Sequence, residues 1–263
     1  MSPTIYQVGN APSGTVNQLT AGSDGVGAAV VSIVSSSHPN EPAGFTELTT
    51  HPFTSTLTPT GWTNPGPSAD LSLATDATAP KSPSGVGKAH YDAFDGGSFN
   101  PVSIHYGFSN KTQVYVHIWH KLSDPYTSHS SGNNKIFFVS CPQEDNVILQ
   151  HSGTGDGQLH YMVTVQGVPA STNYDGSGAT FDRGTWNEVE FLVTADGGGS
   201  RTGDIKVWVN GTLTHDLSGI TLFDTGSTES FNDFNWTQAA GGGASWPPQD
   251  QDSYMDEIYI SSN

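Results

Sequence analysis

The sequence predicts an all-β protein built as a two-sheet antiparallel β-sandwich with an extended N-terminal arm. Three observations carry this. Trp186 to Gly211 reads as a hairpin: Val189, Phe191 and Val193 alternate with Glu188, Glu190 and Thr194, and Ile205, Val207 and Val209 alternate with Lys206, Trp208 and Asn210. Period-two alternation marks a strand with one buried face. No window shows sustained apolar spacing at three and four residues, so nothing helical stands ready to cover that face, and a second sheet must. Finally, Gly 31 and Pro 16 with only 13% charged residues describe many turns and few helices.

In chain order, residues 1–44 differ from the rest. Ser, Gly, Thr, Ala, Pro and Asn dominate, and only Val26 to Val34 is apolar. Such a segment cannot bury enough surface to fold alone. It is expected to lie on the body as an edge strand or on a neighbouring subunit as an added one, the route to a homo-oligomer. The body, residues 45–263, carries the strand rhythm. Strands are expected at Phe53–Leu57, Asp70–Thr75, Val86–Phe94, Val102–Phe108, Gln113–Lys121, Lys135–Val139, Val147–Leu149, Gln158–Gln166 and Ser218–Phe223. Lys135–Val139 is apolar on both faces and therefore central. Val168 to Thr180 reads as a loop, and Phe231 to Trp246 as a long irregular stretch whose tryptophans either plug the core or receive a ligand. In the hairpin, Asp196 to Ser200 tolerates positive φ, and Asn210-Gly211 supplies a tight turn.

Gln113–Lys121 carries most of the functional information. Val114, Val116, Ile118 and His120 share one face, the natural core face. Tyr115, His117, Trp119 and Lys121 share the other. Rings that stack on a pyranose, flanked by groups that fix its hydroxyls, make a carbohydrate-binding surface. On Gln158–Gln166, His160 and Gln166 point away from the expected core and would extend that surface if the two strands were neighbours.

The stretch GTWNEVEFLVTADGGGSRTGDIKVWVNGTLTHDLSGI and the ending DSYMDEIYIS resemble strands of the concanavalin A-like lectin/glucanase jelly rolls. That group includes laminin G-like modules, legume-type lectins, polysaccharide lyases and some glycoside hydrolases. The resemblance implies a jelly roll whose concave outer face takes the ligand. It also implies a structural Ca2+ held by a carboxylate of the closing strand, a position matched here by Asp256. It does not settle activity, because the fold hosts lectins and enzymes alike.

No complete catalytic set is legible. Glu-x-Asp-x-x-Glu is absent, and Glu188-Val189-Glu190 is its nearest echo. For a lyase, Tyr115, His117, His160 and Lys121 supply the residue types, but no Tyr-x-Lys-x-Gly-x-Tyr strand occurs, the only arginines, Arg183 and Arg201, sit at turns, and a net charge of -17 would repel a polyuronate. His117 and His120 fall on opposite strand faces and cannot pair on zinc. Cys141 is expected as a small buried residue. Asn110, Asn210 and Asn235 begin glycosylation triplets that matter only in a eukaryotic secretory pathway.

Charge narrows the partners. Lys+Arg 8 against Asp+Glu 25 gives a formal net charge of -17, so no basic face exists for nucleic acid. No apolar run approaches the ~20 residues of a membrane span. MSPTIYQVGN has neither the basic start nor the apolar core of a secretory signal. The expectation is a non-catalytic carbohydrate-binding or assembly module at a virion or extracellular surface, partnered by a glycan or by other subunits. The alternative is a polysaccharide-active enzyme, a lyase or glycoside hydrolase, using the concave face.

Overall fold

The computed structural model describes residues 38–64, 70–93, 103–129, 134–143, 145–153, 157–168, 171–240 and 248–263. The chain divides into two compact units, residues 1–40 and 41–263. Nearly all of the expected arm, with Val26 to Val34, lies outside the described residues, as do Phe94 and Trp246.

Among the described residues, the second unit holds fifteen strands and no helix. They are β1 Thr46–His51, β2 Trp62–Thr63, β3 Leu71–Ala74, β4 Val86–Tyr91, β5 Ile104–Lys111, β6 Gln113–Leu122, β7 Asn134–Ser140 and β8 Asn146–Ser152. They continue with β9 Leu159–Gln166, β10 Thr172–Phe181, β11 Asn187–Ala195, β12 Thr202–Val209, β13 Thr212–Thr221, β14 Phe231–Ala240 and β15 Gln251–Ser262. The first sheet runs β13-β12-β11-β6-β15-β4-β3, with β1 on the far half of β15. The second runs β10-β9-β8-β7-β14-β5-β2. All pairings are antiparallel.

The anchoring hairpin forms as its alternation dictates. Val189 faces Val209, Phe191 faces Val207 and Val193 faces Ile205, and all six are buried. Asn210 adopts φ 49 and Gly211 φ 76, the left-handed pair a type I′ turn requires. Across the sandwich Phe137 of β7 meets Phe191 edge to face at 5.4 Å. Each fully buried aliphatic or aromatic side chain of this layer contributes about 1.5–3 kcal/mol. At one end the interior turns polar. His120 of β6 lies 3.1 Å from Tyr161 Oη of the opposite sheet and 3.1 Å from Ser253 Oγ of β15.

Four sequence expectations are corrected. Phe53–Leu57 is not a strand: β1 ends at His51, and Phe53 turns at φ 55 to bury its ring against Trp236. Ser218–Phe223 is not a separate strand: Ser218–Thr221 ends β13, and Leu222 and Phe223 lie beyond it. Val168–Thr180 contains most of β10, an edge strand of polar residues whose one ladder, to β9, needs no apolar alternation. Phe231–Trp246 begins with β14, which lies between β7 and β5. Trp236 is fully buried there, so this tryptophan is a core plug. Cys141 is free and buried, and burial pushes its thiol pKa up.

Candidate functional site

The site is assembled on the outer face of the first sheet, with β6 at its centre. Because Val114, Val116 and Ile118 fill the core, Tyr115, His117, Trp119 and Lys121 point outward. Tyr115 and His117 are fully buried, whereas Trp119 and Lys121 are half-buried. β11 pairs with β6 and sets Glu190 opposite His117 and Glu188 opposite Trp119. On the other side β15 sets Tyr254 opposite Lys121, Asp256 opposite Trp119 and Tyr259 opposite His117.

The register on β15 depends on a bulge. Tyr254 and Asp256 point outward, and strict alternation would send Ile258 out as well. Glu257 absorbs one extra residue at φ 52, so Ile258 and Ile260 turn into the core and Tyr259 turns out. A non-glycine residue in that conformation costs about 1–3 kcal/mol. Here it aims a second carboxylate at His117, whose Nδ1 lies 3.6 Å from Glu257 Oε2 while Nε2 lies 2.8 Å from Glu188 Oε1. His117 therefore sits between two carboxylates. Tyr115 donates to Glu190 Oε2 at 2.5 Å. Burial, reinforced by Glu190, lifts the Tyr115 pKa far above the usual phenol range, so it stays protonated. Tyr259 donates to Glu41 at 2.8 Å and is raised to about 12, by burial first and then by Glu41.

The rim is aromatic and cationic. Lys121 pairs with Asp76 and sits 5.0 Å above the Trp186 ring and 5.1 Å above that of Tyr254. Burial alone would raise Asp76, but its bonds to Lys121 and Thr78 outweigh that and hold it at about 2. Trp186 Nε1 also donates to Asp76, at 3.2 Å. Trp208 faces Glu190 across β12, Lys206 lies 3.6 Å from Asp216, and Lys88 lies 3.6 Å from Asp252. Lysines 81, 88, 121 and 206 thus gather at this face in a chain of net charge -17.

His160 and Gln166 are not brought to it. Their strand, β9, pairs with β8 and β10 in the second sheet, so the expected adjacency to β6 does not occur. His160 lies 3.4 Å from Asp175, and Gln166 accepts from Asn146 at 3.5 Å. Sequence alone gives no pointer to Asp76, which is distant in the chain, nor to Glu257, whose role depends on the bulge. Trp208 was legible as the outward residue of the hairpin.

Asp256 is fully buried, and its Oδ2 accepts the N–H groups of Lys81 at 2.7 Å and Ser82 at 3.0 Å. Oδ1 has no hydrogen-bond partner and is the one oxygen left to a cation. Calcium takes 6–8 oxygens, so further ligands would have to be carbonyls or water. Among the described residues, the one group of three with metal-ligand spacing is His90, Asp92 and Asp250, at the surface.

Solved structures share this architecture. An endo-β-1,4-glucuronan lyase from the fungus Trichoderma reesei superposes with a TM-score of 0.60 at 13% identity, over 83% of this chain and 96% of that one. An alginate lyase mutant in complex with an alginate trisaccharide gives 0.57 at 13%, over 73% and 88%. A carbohydrate esterase from a Shiga toxin-encoding bacteriophage gives 0.53 at 12%, over 84% and 100%. No family model and no curated protein matches the chain. At such identities the likeness establishes the shared jelly-roll β-sandwich.

Proposed function

We propose that the chain is a polysaccharide-active protein of the concanavalin A-like group, and that the outer face of the first sheet cleaves an acidic polysaccharide. One observation carries the reading. In a strongly acidic chain, Trp119, Trp208, Tyr254, Lys88, Lys121 and Lys206 share the outer face that holds a histidine set between two carboxylates. Rings supply stacking surface, and ammonium groups offset a uronate carboxylate. The Lys206–Asp216 pair is exposed and worth little, so a substrate carboxylate can compete for that ammonium. The shared fold with alginate and glucuronan lyases supports this substrate class.

The chemistry fits β-elimination. A base takes the proton α to the uronate carboxyl, the electron pair forms the new double bond, and the bond to the leaving glycosidic oxygen breaks. That oxygen receives a proton. His117 is the proton-transfer group, oriented by Glu188 and Glu257. Tyr115, protonated throughout, holds Glu190 in place beneath it.

A second reading, a non-catalytic carbohydrate-binding module, is favoured by the complete burial of Tyr115 and His117. They would then support a platform formed by Trp119 and its neighbours. Incubation with alginate and with glucuronan separates the two. Elimination generates a conjugated uronate and a rise in ultraviolet absorbance, which His117→Gln should abolish at unchanged melting temperature. Binding without product selects the second reading, and neither binding nor product refutes both.

A further inference from the structure

The outer face of the second sheet, on the opposite side of the sandwich, carries a relay that the proposed function does not use. Ile104 of β5 is fully buried, so Ser103 and His105, one residue to either side, both face outward. Ser103 Oγ lies 3.0 Å from His105 Nε2. His105 Nδ1 lies 3.0 Å from Asp233 Oδ2 of the neighbouring strand β14. With Nδ1–H donating to the Asp233 carboxylate, Nε2 is left as acceptor for the serine hydroxyl. The relay stands beside a shallow, open depression of about 520 Å3 lined by Gly61, Thr63, His105, Gly107 and Asp233. A Cβ at Gly107 would meet nothing within 4 Å, so the space beside the imidazole is open. Gly61 adopts φ 89, and a Cβ there would stand 3.0 Å from the Tyr106 ring. Two glycines thus leave part of the wall without side chains.

We infer that Ser103, His105 and Asp233 form a nucleophilic hydrolase site for short-chain acyl esters such as an O-acetyl group. The hydroxyl, imidazole and carboxylate stand in the order that activates a serine, a constellation defined by geometry and not by chain position. Ser103 Oγ adds to the acyl carbon while its proton passes to His105 Nε2. The carbon–oxygen bond to the alcohol then breaks, and the alcohol leaves with that proton. Water, deprotonated by the same nitrogen, releases the acid and restores the serine. Asp233 holds the imidazole in its tautomer and stabilises the transient cation. Asn235 sits directly opposite His105 on β14, and its Oδ1 accepts from Thr237 Oγ1 at 2.5 Å. The wall lacks bulky groups to grip a long acyl chain, which points to a short one.

The test uses the full chain with p-nitrophenyl acetate and, separately, a fluorophosphonate probe read by intact mass and peptide mapping. Turnover above the buffer rate, with one probe adduct on Ser103, is expected. Ser103→Ala should remove the adduct, and Ser103→Ala and Asp233→Asn should each lower turnover at least a hundredfold at unchanged melting temperature. A wild-type rate equal to buffer, an adduct elsewhere, or undiminished hydrolysis by Ser103→Ala overturns the proposal. Because the two sites lie on opposite faces, Ser103→Ala should also leave polysaccharide cleavage intact.

Discussion

Acid should unfold this protein through its interior histidines. His120 is fully buried between the sheets, and burial drives its pKa from 6.5 to about 3. His151, 6.4 Å away ring to ring, is lowered well below 6.5 by burial and then by His120. His51 is lowered to about 4, again chiefly by burial. In each case the unfolded chain binds the proton more readily than the folded one. Their neutral forms therefore contribute full stability above about pH 6.5, and that stability is lost as pH falls towards the folded values. At pH 5 His120 and His51 each cost about 2 kcal/mol, since one pH unit below the unfolded pKa is worth about 1.4 kcal/mol, and His151 acts in the same direction. Those two alone, about 4 kcal/mol, approach the whole stability of a typical domain, about 5–15 kcal/mol. Urea denaturation between pH 8 and pH 4.5 measures it. Replacing His120 and His151 by Gln removes both titrations while keeping polar groups at the sites. The double variant should lose less stability than wild type between pH 7 and pH 5, by at least the His120 share of about 2 kcal/mol. An unchanged pH slope in the double variant would refute the reasoning.

Other outcomes follow from the same geometry. Trp119→Ala should abolish polysaccharide binding with little change in stability; a loss of about 3–5 kcal/mol would mean the ring is a core residue. Trp236→Ala, by contrast, should cost about that much, because this ring is fully buried and closes over Gly87, where a Cβ would lie 2.5 Å from it. Tyr115→Phe removes a bond to a carboxylate and should lower stability by about 1.5–3 kcal/mol, read from urea midpoints. Calcium bound through Asp256 Oδ1 predicts that a chelator lowers the melting temperature of wild type and that Asp256→Asn no longer responds.

The class of fold and the faces of the most regular strands are legible in the amino-acid pattern. Alternation at Val189, Phe191 and Val193 and at Val114, Val116 and Ile118 commits those side chains to the core, because a one-residue slip would expose all of them. The outward direction of Tyr115, His117, Trp119 and Lys121 follows from the same constraint. Edge and irregular strands were not legible. β10 is polar and held by one ladder, so no apolar pattern marks it. β14 opens with Asn and Asp among its aromatics and looked like loop until its two neighbours satisfied its backbone.

Which strands lie side by side is a property of the folded chain. Alternation says which way a side chain points, but not which strand stands next to it. His160 and Gln166 share the outward pattern of Tyr115 yet lie on the other sheet. Asp76 joins Lys121 from 45 residues earlier in the chain. Glu257 reaches His117 through a bulge that breaks the period of two. Ser103, His105 and Asp233 become one relay because β14 pairs with β5 from 128 residues away. Sheet order is set by closing long loops against the burial of both inner faces at once. That balance belongs to the whole chain, and no local stretch of sequence contains it.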